Sequence, residues 1–169
     1  MNVYIGGSFY KNGNSLSDDF RAELLGGEHI LWNENEDAKV TIFGEEMKYV
    51  GPFFYYPEKE KELKKNGLKD HEIIVHIEKK VVEECNLFVA YLGTKSSPGT
   101  VAELIHAANF GKNICLFYLA RKNKKALKSE YWFPILMARE IAKDKHSKFI
   151  MKEVDNASEF IYFLKNNTF

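Results

Sequence analysis

Apolar runs in the second half of the chain predict the centre of a sheet. Leu87–Leu92 (LFVAYL) and Asn113–Leu119 (NICLFYL) are apolar almost throughout. Runs of this length without polar alternation are typical of strands that helices cover on both faces of a parallel sheet. The shorter run Asn2–Ile5 predicts a first strand that ends at a Gly-Gly-Ser turn, and Lys148–Met151 predicts a late one. The pattern therefore predicts several buried strands.

Helical spacing fills the intervals between these strands. Residues 69–85 carry a stripe of apolar side chains with a period of 3.6, which predicts a helix. The members of that stripe are Ile73, Ile74, Ile77, Val81, Val82 and Cys85. Further helices are predicted at Pro98–Phe110, which ends before Gly111, at 129–143 and at 157–165, with weaker helical spacing at Asp18–Leu25.

The pattern between the early turn and the helix at 69–85 is less regular. His29–Trp32 and Lys39–Phe43 resemble strands. Tyr49–Tyr56 is a third strand-like run, but Gly51-Pro52 interrupts it, as happens at a sheet edge or a site mouth. Pro57 and the charged residues 58–67 predict an exposed helix or loop.

Alternating strands and helices of this kind predict one domain over residues 1–169. The fold class is α/β, a flavodoxin- or Rossmann-like doubly wound, mostly parallel sheet with helices on both faces. Ligands of such sheets bind at the carboxyl ends of the strands. Gly6-Gly7-Ser8 and the stretch Gly93–Gly99 both follow predicted strands, so we expect them on that edge.

Composition narrows the classes of function. Twenty-four basic residues balance 24 acidic ones, which argues against a nucleic-acid partner. The basic run 121–128 (RKNKKALK) is more typical of a solvated loop. Cys85 and Cys115 lie in or beside apolar runs, so we expect buried free thiols, and neither a metal nor a cofactor is indicated. Without a signal-peptide pattern or an apolar run of about 18 residues, we expect a cytoplasmic protein that does not associate with membranes.

The start of the helix at Pro98 suits an anion. Ser97 fits the N-cap, Pro98 fits the first helical position, and Gly99 would let a ligand approach the backbone. The free backbone N–H groups of the first helical turn, which includes Thr100, and the positive end of the helix dipole favour an anion such as phosphate. An ordinary capped helix is the alternative. A Walker loop is excluded, because the chain has no G-x-x-x-x-G-K-[ST] sequence.

Two carboxylates are the candidate catalytic groups. By spacing alone, Glu103 points away from the packing face of its helix and looks solvent-facing, although a carboxylate in a cleft there could act as a nucleophile. Glu78 lies between Ile74 and Val82 in the middle of an apolar stripe. A buried carboxylate needs a partner or a function, and burial would raise its pKa towards that of a general acid.

These residues together resemble the nucleoside 2-deoxyribosyltransferase superfamily, closest in motif to the 2′-deoxynucleoside 5′-monophosphate N-hydrolases. Tyr4–Ser8 (YIGGS) is similar to the family's first-strand loop, and Ser97–Leu104 (SPGTVAEL) to its G-x-x-x-E-L signature. Glu78 followed by Asn86, Gly111-Lys112, and Ser147 with the two residues after it come in the family's order.

The resemblance implies roles for individual residues. Glu103 would be the nucleophile, or the carboxylate that faces the anomeric carbon. Glu78 stands where the family usually has an aspartate that helps to protonate the leaving base. Ser8, Ser97 and Ser147 match serines that hold the 5′-phosphate, with Ser147 coming from a neighbouring subunit of a homodimer or larger homo-oligomer that shares its active sites. Tyr10 stands where a basic residue is expected.

Other residues are candidates for contacts with the substrate. Gly7, Gly99 and Thr100 lie beside the matching serines. The aromatic side chains that could sandwich a base, or equally belong to the core, are Phe9, Tyr10, Phe53, Phe54, Tyr55 and Trp132.

The resemblance therefore implies cleavage of the N-glycosidic bond of a small-molecule nucleotide, most simply hydrolysis of a 2′-deoxynucleoside 5′-monophosphate to free base and sugar phosphate. The alternatives are base exchange by a nucleoside 2-deoxyribosyltransferase, then NAD hydrolysis, or a nucleotide-binding sensor without catalysis.

Overall fold

The computed structural model describes residues 1–93, 97–120 and 131–169. Its helices and strands follow the chain in this order: β1 (Asn2–Gly6), α1 (Phe20–Leu25), α2 (His29–Trp32), β2 (Lys39–Ile42), β3 (Glu45–Gly51), α3 (Pro57–Lys65), α4 (Asp70–Glu84), β4 (Leu87–Leu92), α5 (Pro98–Asn109), β5 (Asn113–Leu119), α6 (Trp132–Asp144), β6 (Phe149–Val154) and α7 (Ala157–Asn166).

The six strands form one sheet in the order β2-β3-β1-β4-β5-β6. All neighbours are parallel except β2 and β3, which form an antiparallel hairpin at one edge. Without β2 the order is that of the flavodoxin-like fold, so the predicted fold class is confirmed. The direction of winding reverses at β1, between β3 and β4, and such switch points are where these sheets bind ligands.

Helices cover both faces of the sheet. On one face, the Tyr4 ring of β1 stacks on Phe88 of β4, with centroids 5.4 Å apart, beneath α4 and α5. On the other face, Tyr91 of β4 stacks on Phe160 of α7 at 5.0 Å and meets Phe20 of α1 edge-on. Because side chains alternate along a strand, Phe88 and Tyr91 reach opposite faces, and both faces are buried as the apolar run of β4 predicts.

Two predicted strands are wrong in whole or in part. His29–Trp32 forms the short helix α2, in which Leu31 alone is fully buried, so the run does not alternate as a strand would. The run Tyr49–Tyr56 is a strand only as far as Gly51, where Gly51-Pro52 interrupts it as predicted, and the strand begins earlier than predicted, at Glu45. Pro52 has no N–H to donate, and the N–H of Phe53 donates to the Tyr56 hydroxyl rather than to a strand.

The other predicted elements are confirmed to within a few residues, with three qualifications. Ile74, assigned to the buried stripe of α4, is 42% exposed. The start of the helix predicted at 129–143 and the basic run 121–128 lie outside the described residues.

Cys85 and Cys115 are free and buried, as expected. No helix within the described ranges is long and apolar enough to cross a membrane. That the chain makes a single domain stays a prediction.

Candidate functional site

The switch point brings two distant serines together. Ser8 follows the end of β1, and Ser97 precedes α5, which follows β4 in the chain. Their hydroxyl oxygens lie 2.5 Å apart, and either can donate. Gly7 between β1 and Ser8 has φ +151°, and a Cβ there would lie 3.0 Å from the Phe20 ring. The loop after β1 is thus packed tightly against α1 and faces the start of α5.

The helix α5 begins where the sequence predicts, with Ser97 at the N-cap and Pro98 in the first turn. The Ser97 side chain does not cap the helix: its hydroxyl meets Ser8, and its backbone N–H donates to the Tyr131 hydroxyl at 3.1 Å. Gly99 is exposed, and a Cβ there would meet no atom of the described residues within 4 Å. As far as the described residues go, the first turn of α5 is therefore open to a ligand on the side of Gly99.

Glu103 does not face solvent, contrary to what its spacing suggests. Thr100 and Ala107, assigned to the same outward side, are 6% and 0% exposed. Small side chains let α5 approach the sheet closely on this side: a Cβ on Gly6 would lie 3.1 Å from Thr100 Cγ2 and 3.3 Å from Glu103 Oε2. Glu103 consequently lies over the carboxyl end of β1, only partly exposed.

Glu78 is paired, as its place in an apolar stripe requires. The Tyr4 hydroxyl donates to Glu78 Oε2 at 2.8 Å, and the Tyr56 hydroxyl donates to Oε1 at 3.0 Å. Tyr56 in turn accepts the N–H of Phe53 at 3.0 Å. Because each tyrosine holds one oxygen, the carboxyl group of Glu78 has a fixed orientation.

The two carboxyl groups share one environment. Burial, then the negative charge of Glu103, raises the pKa of Glu78 to about 7, although the tyrosine hydroxyls and Arg21 act in the opposite direction. Burial raises the pKa of Glu103 to about 6, opposed by a hydrogen bond with Tyr4 and by the charge of Arg21. The pKa of Tyr4 itself lies well above its ordinary value because of burial and both carboxylates. Tyr4 therefore stays protonated and can donate its one proton to either carboxyl group.

Sequence reasoning missed four of the residues that build this site. Tyr4 entered only as part of a motif, and Tyr56, Asp19 and Arg21 were given no role. Arg21 is fully buried in α1 and forms a two-pronged ion pair with Asp19, with N–O distances of 2.8 Å. A charged pair next to the polar loop is an ordinary sequence feature, so no local signal distinguishes it.

The other candidate residues lie at different depths. Tyr10 reaches the edge of the sheet, where its hydroxyl would be 3.1 Å from a Cβ on Gly93. Phe53 was a candidate either for contact with a base or for the core; it is 4% exposed and belongs to the core. Phe54 and Tyr55 are 38% and 45% exposed. Phe9 packs edge-on against Phe54 at 5.8 Å, whereas Trp132 packs on Tyr118.

Ser147 is not brought into this site within one chain. It precedes β6, and its Oγ lies 3.6 Å from where a Cβ of Gly111 would be, just after the end of α5. That is the amino-terminal edge of the parallel strands, opposite the edge that carries Glu103. The contribution of Ser147 from a second subunit stays a prediction.

Comparison with known proteins finds only weak similarities. No family model and no curated protein matches the chain. Among solved structures, the CMP N-glycosidase BcmB of Clostridium botulinum is 19% identical over 63% of this chain and 85% of that chain, with a TM-score of 0.42.

Two further structures are similar to the chain. Elongation factor SelB of Methanococcus maripaludis, in complex with a GTP analogue, is 13% identical over 99% of this chain and 34% of that chain, with a TM-score of 0.41. The FeoB G-domain of Methanococcus jannaschii is 14% identical over 94% and 86%, with a TM-score of 0.43. Likenesses this weak do not decide a function, so the geometry of the site carries the argument.

Proposed function

We propose that this protein cleaves the N-glycosidic bond of a nucleotide, with a 2′-deoxynucleoside 5′-monophosphate as the favoured substrate. One observation carries the proposal: Glu103 and Glu78 meet around the Tyr4 hydroxyl at the edge where Ser8 and Ser97 touch. Two carboxyl groups with different proton affinities, beside a helix start that suits a phosphate, fit hydrolysis of the N-glycosidic bond of a nucleotide.

The pKa values of the two carboxyl groups support different roles for Glu103 and Glu78. Near neutral pH, Glu103 with its pKa of about 6 is mostly ionised and can act as the nucleophile. Glu78, with a pKa of about 7, retains its proton in a large fraction of the molecules and can act as the acid. This order of proton affinities supports the roles that the resemblance implies for the two residues.

In the proposed reaction a Glu103 oxygen bonds to C1′ of the sugar as the bond from C1′ to the base nitrogen breaks. The departing base takes the proton from Glu78. Water then attacks C1′, gives a proton to Glu78 and releases Glu103, so the net change is addition of one water across the glycosidic bond. Tyr4 stays protonated throughout, and its one O–H can stabilise negative charge on either carboxylate.

The 5′-phosphate would lie at the start of α5. There the Ser8 and Ser97 hydroxyls can donate to it, together with free backbone N–H groups of the first helical turn. The open side at Gly99 leaves room for a ligand to approach. Because Ser147 of the same chain is on the opposite edge, we propose, as the resemblance implies, that a second copy in a homodimer supplies it.

The test is release of free base, measured by chromatography, from deoxynucleosides, their 5′-monophosphates, ribonucleotides and NAD. We expect release from the deoxynucleoside monophosphates, and a rate lower by roughly a hundredfold or more in Glu103→Gln and Glu103→Ala. Glu140→Gln, an exposed change on α6, is the matched control and should behave like the native chain.

Other outcomes contradict the proposal in distinguishable ways. Release only when a second base is added would indicate a transferase. Release from NAD alone would indicate NAD hydrolysis. Nucleotide binding that Glu103→Ala leaves intact, without release from any substrate, would indicate a sensor.

A further inference from the structure

Arg21 occupies the centre of a hydrogen-bond network beneath the loop that carries Ser8. Its Nη1 donates to the carbonyl oxygens of Ile5 and Gly7, both at 3.1 Å, and its Nη2 donates to that of Ser8 at 3.3 Å. Nε and Nη2 also donate to the two oxygens of Asp19. All five N–H donors of the guanidinium are therefore used.

Asp19 accepts hydrogen bonds from the backbone at the end of the same loop, at Tyr10, and from Arg21. Its Oδ2 accepts the backbone N–H of Tyr10 at 2.9 Å, and its Oδ1 accepts the N–H of Arg21 at 3.0 Å. One buried ion pair thus contacts the backbone at Ile5, Gly7, Ser8 and Tyr10, before and after the turn. These contacts fix the path of the loop from the end of β1 onwards.

Stability alone does not account for this pair. Removing two charges from water costs about as much as their attraction returns, and apolar residues of similar size often stabilise a core equally well. An apolar pair, however, could not hold three carbonyl oxygens and one amide of a loop. The contribution that an apolar pair cannot supply is the conformation of the loop.

We propose that Arg21, together with Asp19, is a positioning residue that holds the loop after β1 in the conformation in which the Ser8 hydroxyl meets that of Ser97. This inference deepens the proposed function, on which its catalytic part rests. In it, Arg21 contributes to the selectivity for substrates with a 5′-phosphate although it does not contact the phosphate. Arg21 itself lies beneath the loop, fully buried against the Phe9 ring, with its guanidinium carbon 4.1 Å from the ring centre.

Two variants test the inference without leaving a buried charge unpaired. Arg21→Lys keeps the charge but has three N–H donors on one nitrogen in place of a planar fork. The double variant Asp19→Asn with Arg21→Met removes both charges and keeps an acceptor for the Tyr10 N–H. Arg139→Met, an exposed arginine on α6, is the matched control.

The first measurement is amide hydrogen exchange on the ligand-free protein. We expect exchange in residues 6–10 to be faster by roughly tenfold or more in both Arg21 variants, with β5 unchanged as a check that the fold is intact. Unchanged exchange in residues 6–10 would overturn the inference. This measurement does not depend on what the protein catalyses.

The second measurement is kcat/KM for a deoxynucleoside 5′-monophosphate divided by kcat/KM for the matching deoxynucleoside. We expect this ratio to fall by about tenfold in the double variant and by less in Arg21→Lys, mostly through KM for the monophosphate. Faster hydrogen exchange in residues 6–10 together with an unchanged ratio of the two kcat/KM values would overturn the positioning role. If the native chain releases no base at all, the proposed function fails, and hydrogen exchange alone decides whether Arg21 holds the loop.

Discussion

The hydroxyl oxygens of Ser8 and Ser97 lie 2.5 Å apart although 89 positions of sequence separate the two residues. One hydroxyl comes from the loop after β1 and the other from the N-cap of α5, the two segments that flank the switch point of the sheet. A ligand that accepts hydrogen bonds from both would join these segments. We therefore expect the serine pair to select for a phosphate on the substrate.

The first prediction concerns this serine pair. Ser8→Ala and Ser97→Ala should each lower kcat/KM for the 5′-monophosphate by roughly tenfold, the equivalent of one hydrogen bond to a charged group, and leave that for the nucleoside nearly unchanged. Ser158→Ala, an exposed serine of α7, is the control. Equal losses on both substrates would show that the serines support the fold rather than the phosphate.

The second prediction concerns the hydroxyl of Tyr4. Its hydrogen bonds favour the ionised forms of Glu78 and Glu103, so Tyr4→Phe should raise both pKa values. The rate of base release needs Glu103 ionised and Glu78 protonated, so the native profile should peak between about pH 6 and 7. In the variant both limbs should move to higher pH by roughly one unit.

Measuring the rate of base release from pH 5 to 9 checks this shift. Tyr162→Phe, an exposed tyrosine of α7, should leave the profile in place. Because the two carboxyl groups interact, the limbs report the pair rather than each residue alone. A Tyr4→Phe profile that coincides with the native one would contradict the arrangement described here.

The third prediction concerns stability. Since the fold raises the pKa of Glu78 from an ordinary value of 4.5 to about 7, the unfolded chain releases its proton at lower pH than the folded chain does. Below about pH 4.5 both forms are protonated and this group makes no pH-dependent difference. The free energy of unfolding then falls as pH rises from about 4.5 to about 7, and it levels off above that. Glu78→Gln should remove this loss, on the order of 2–3 kcal/mol at pH 8.

Urea unfolding at several pH values between 4.5 and 8 measures this effect. The stability of Glu78→Gln relative to the native chain should increase with pH up to about pH 7 and then stay constant. Glu84→Gln, at an exposed position of the same helix, should show a constant difference. A difference for Glu78→Gln that is independent of pH would mean that the carboxyl group is ionised as easily in the fold as outside it.

The fourth prediction concerns the second subunit. We expect a homodimer by sedimentation, and we expect Ser147→Ala to weaken turnover of monophosphates. Mixing Glu103→Gln with Ser147→Ala protein should restore activity, because one site of a mixed dimer then has both native residues. A monomer, or a mixture no more active than its components, would contradict a shared site.

Much of the architecture follows from local sequence patterns. The unbroken apolar runs of β4 and β5 and the stripe of α4 place these elements to within about a residue, because burial on one or both faces leaves a periodic trace in the sequence. Pro98 likewise marks the start of α5, because its fixed φ and missing N–H suit the first turn of a helix. The short segment His29–Trp32 carries too few residues for its period to distinguish a helix from a strand.

The tertiary structure alone decided which side of α5 faces the sheet and what surrounds each carboxyl group. Thr100 and Ala107 are neither charged nor large, so their spacing does not tell whether they face water or a close-packed sheet, and the direction of Glu103 depends on that. The partners of Glu78 come from β1 and from the start of α3, 74 and 22 positions away. Sequence patterns record the average burial of neighbours along one element, whereas a pKa depends on the particular atoms that other elements bring within a few ångströms.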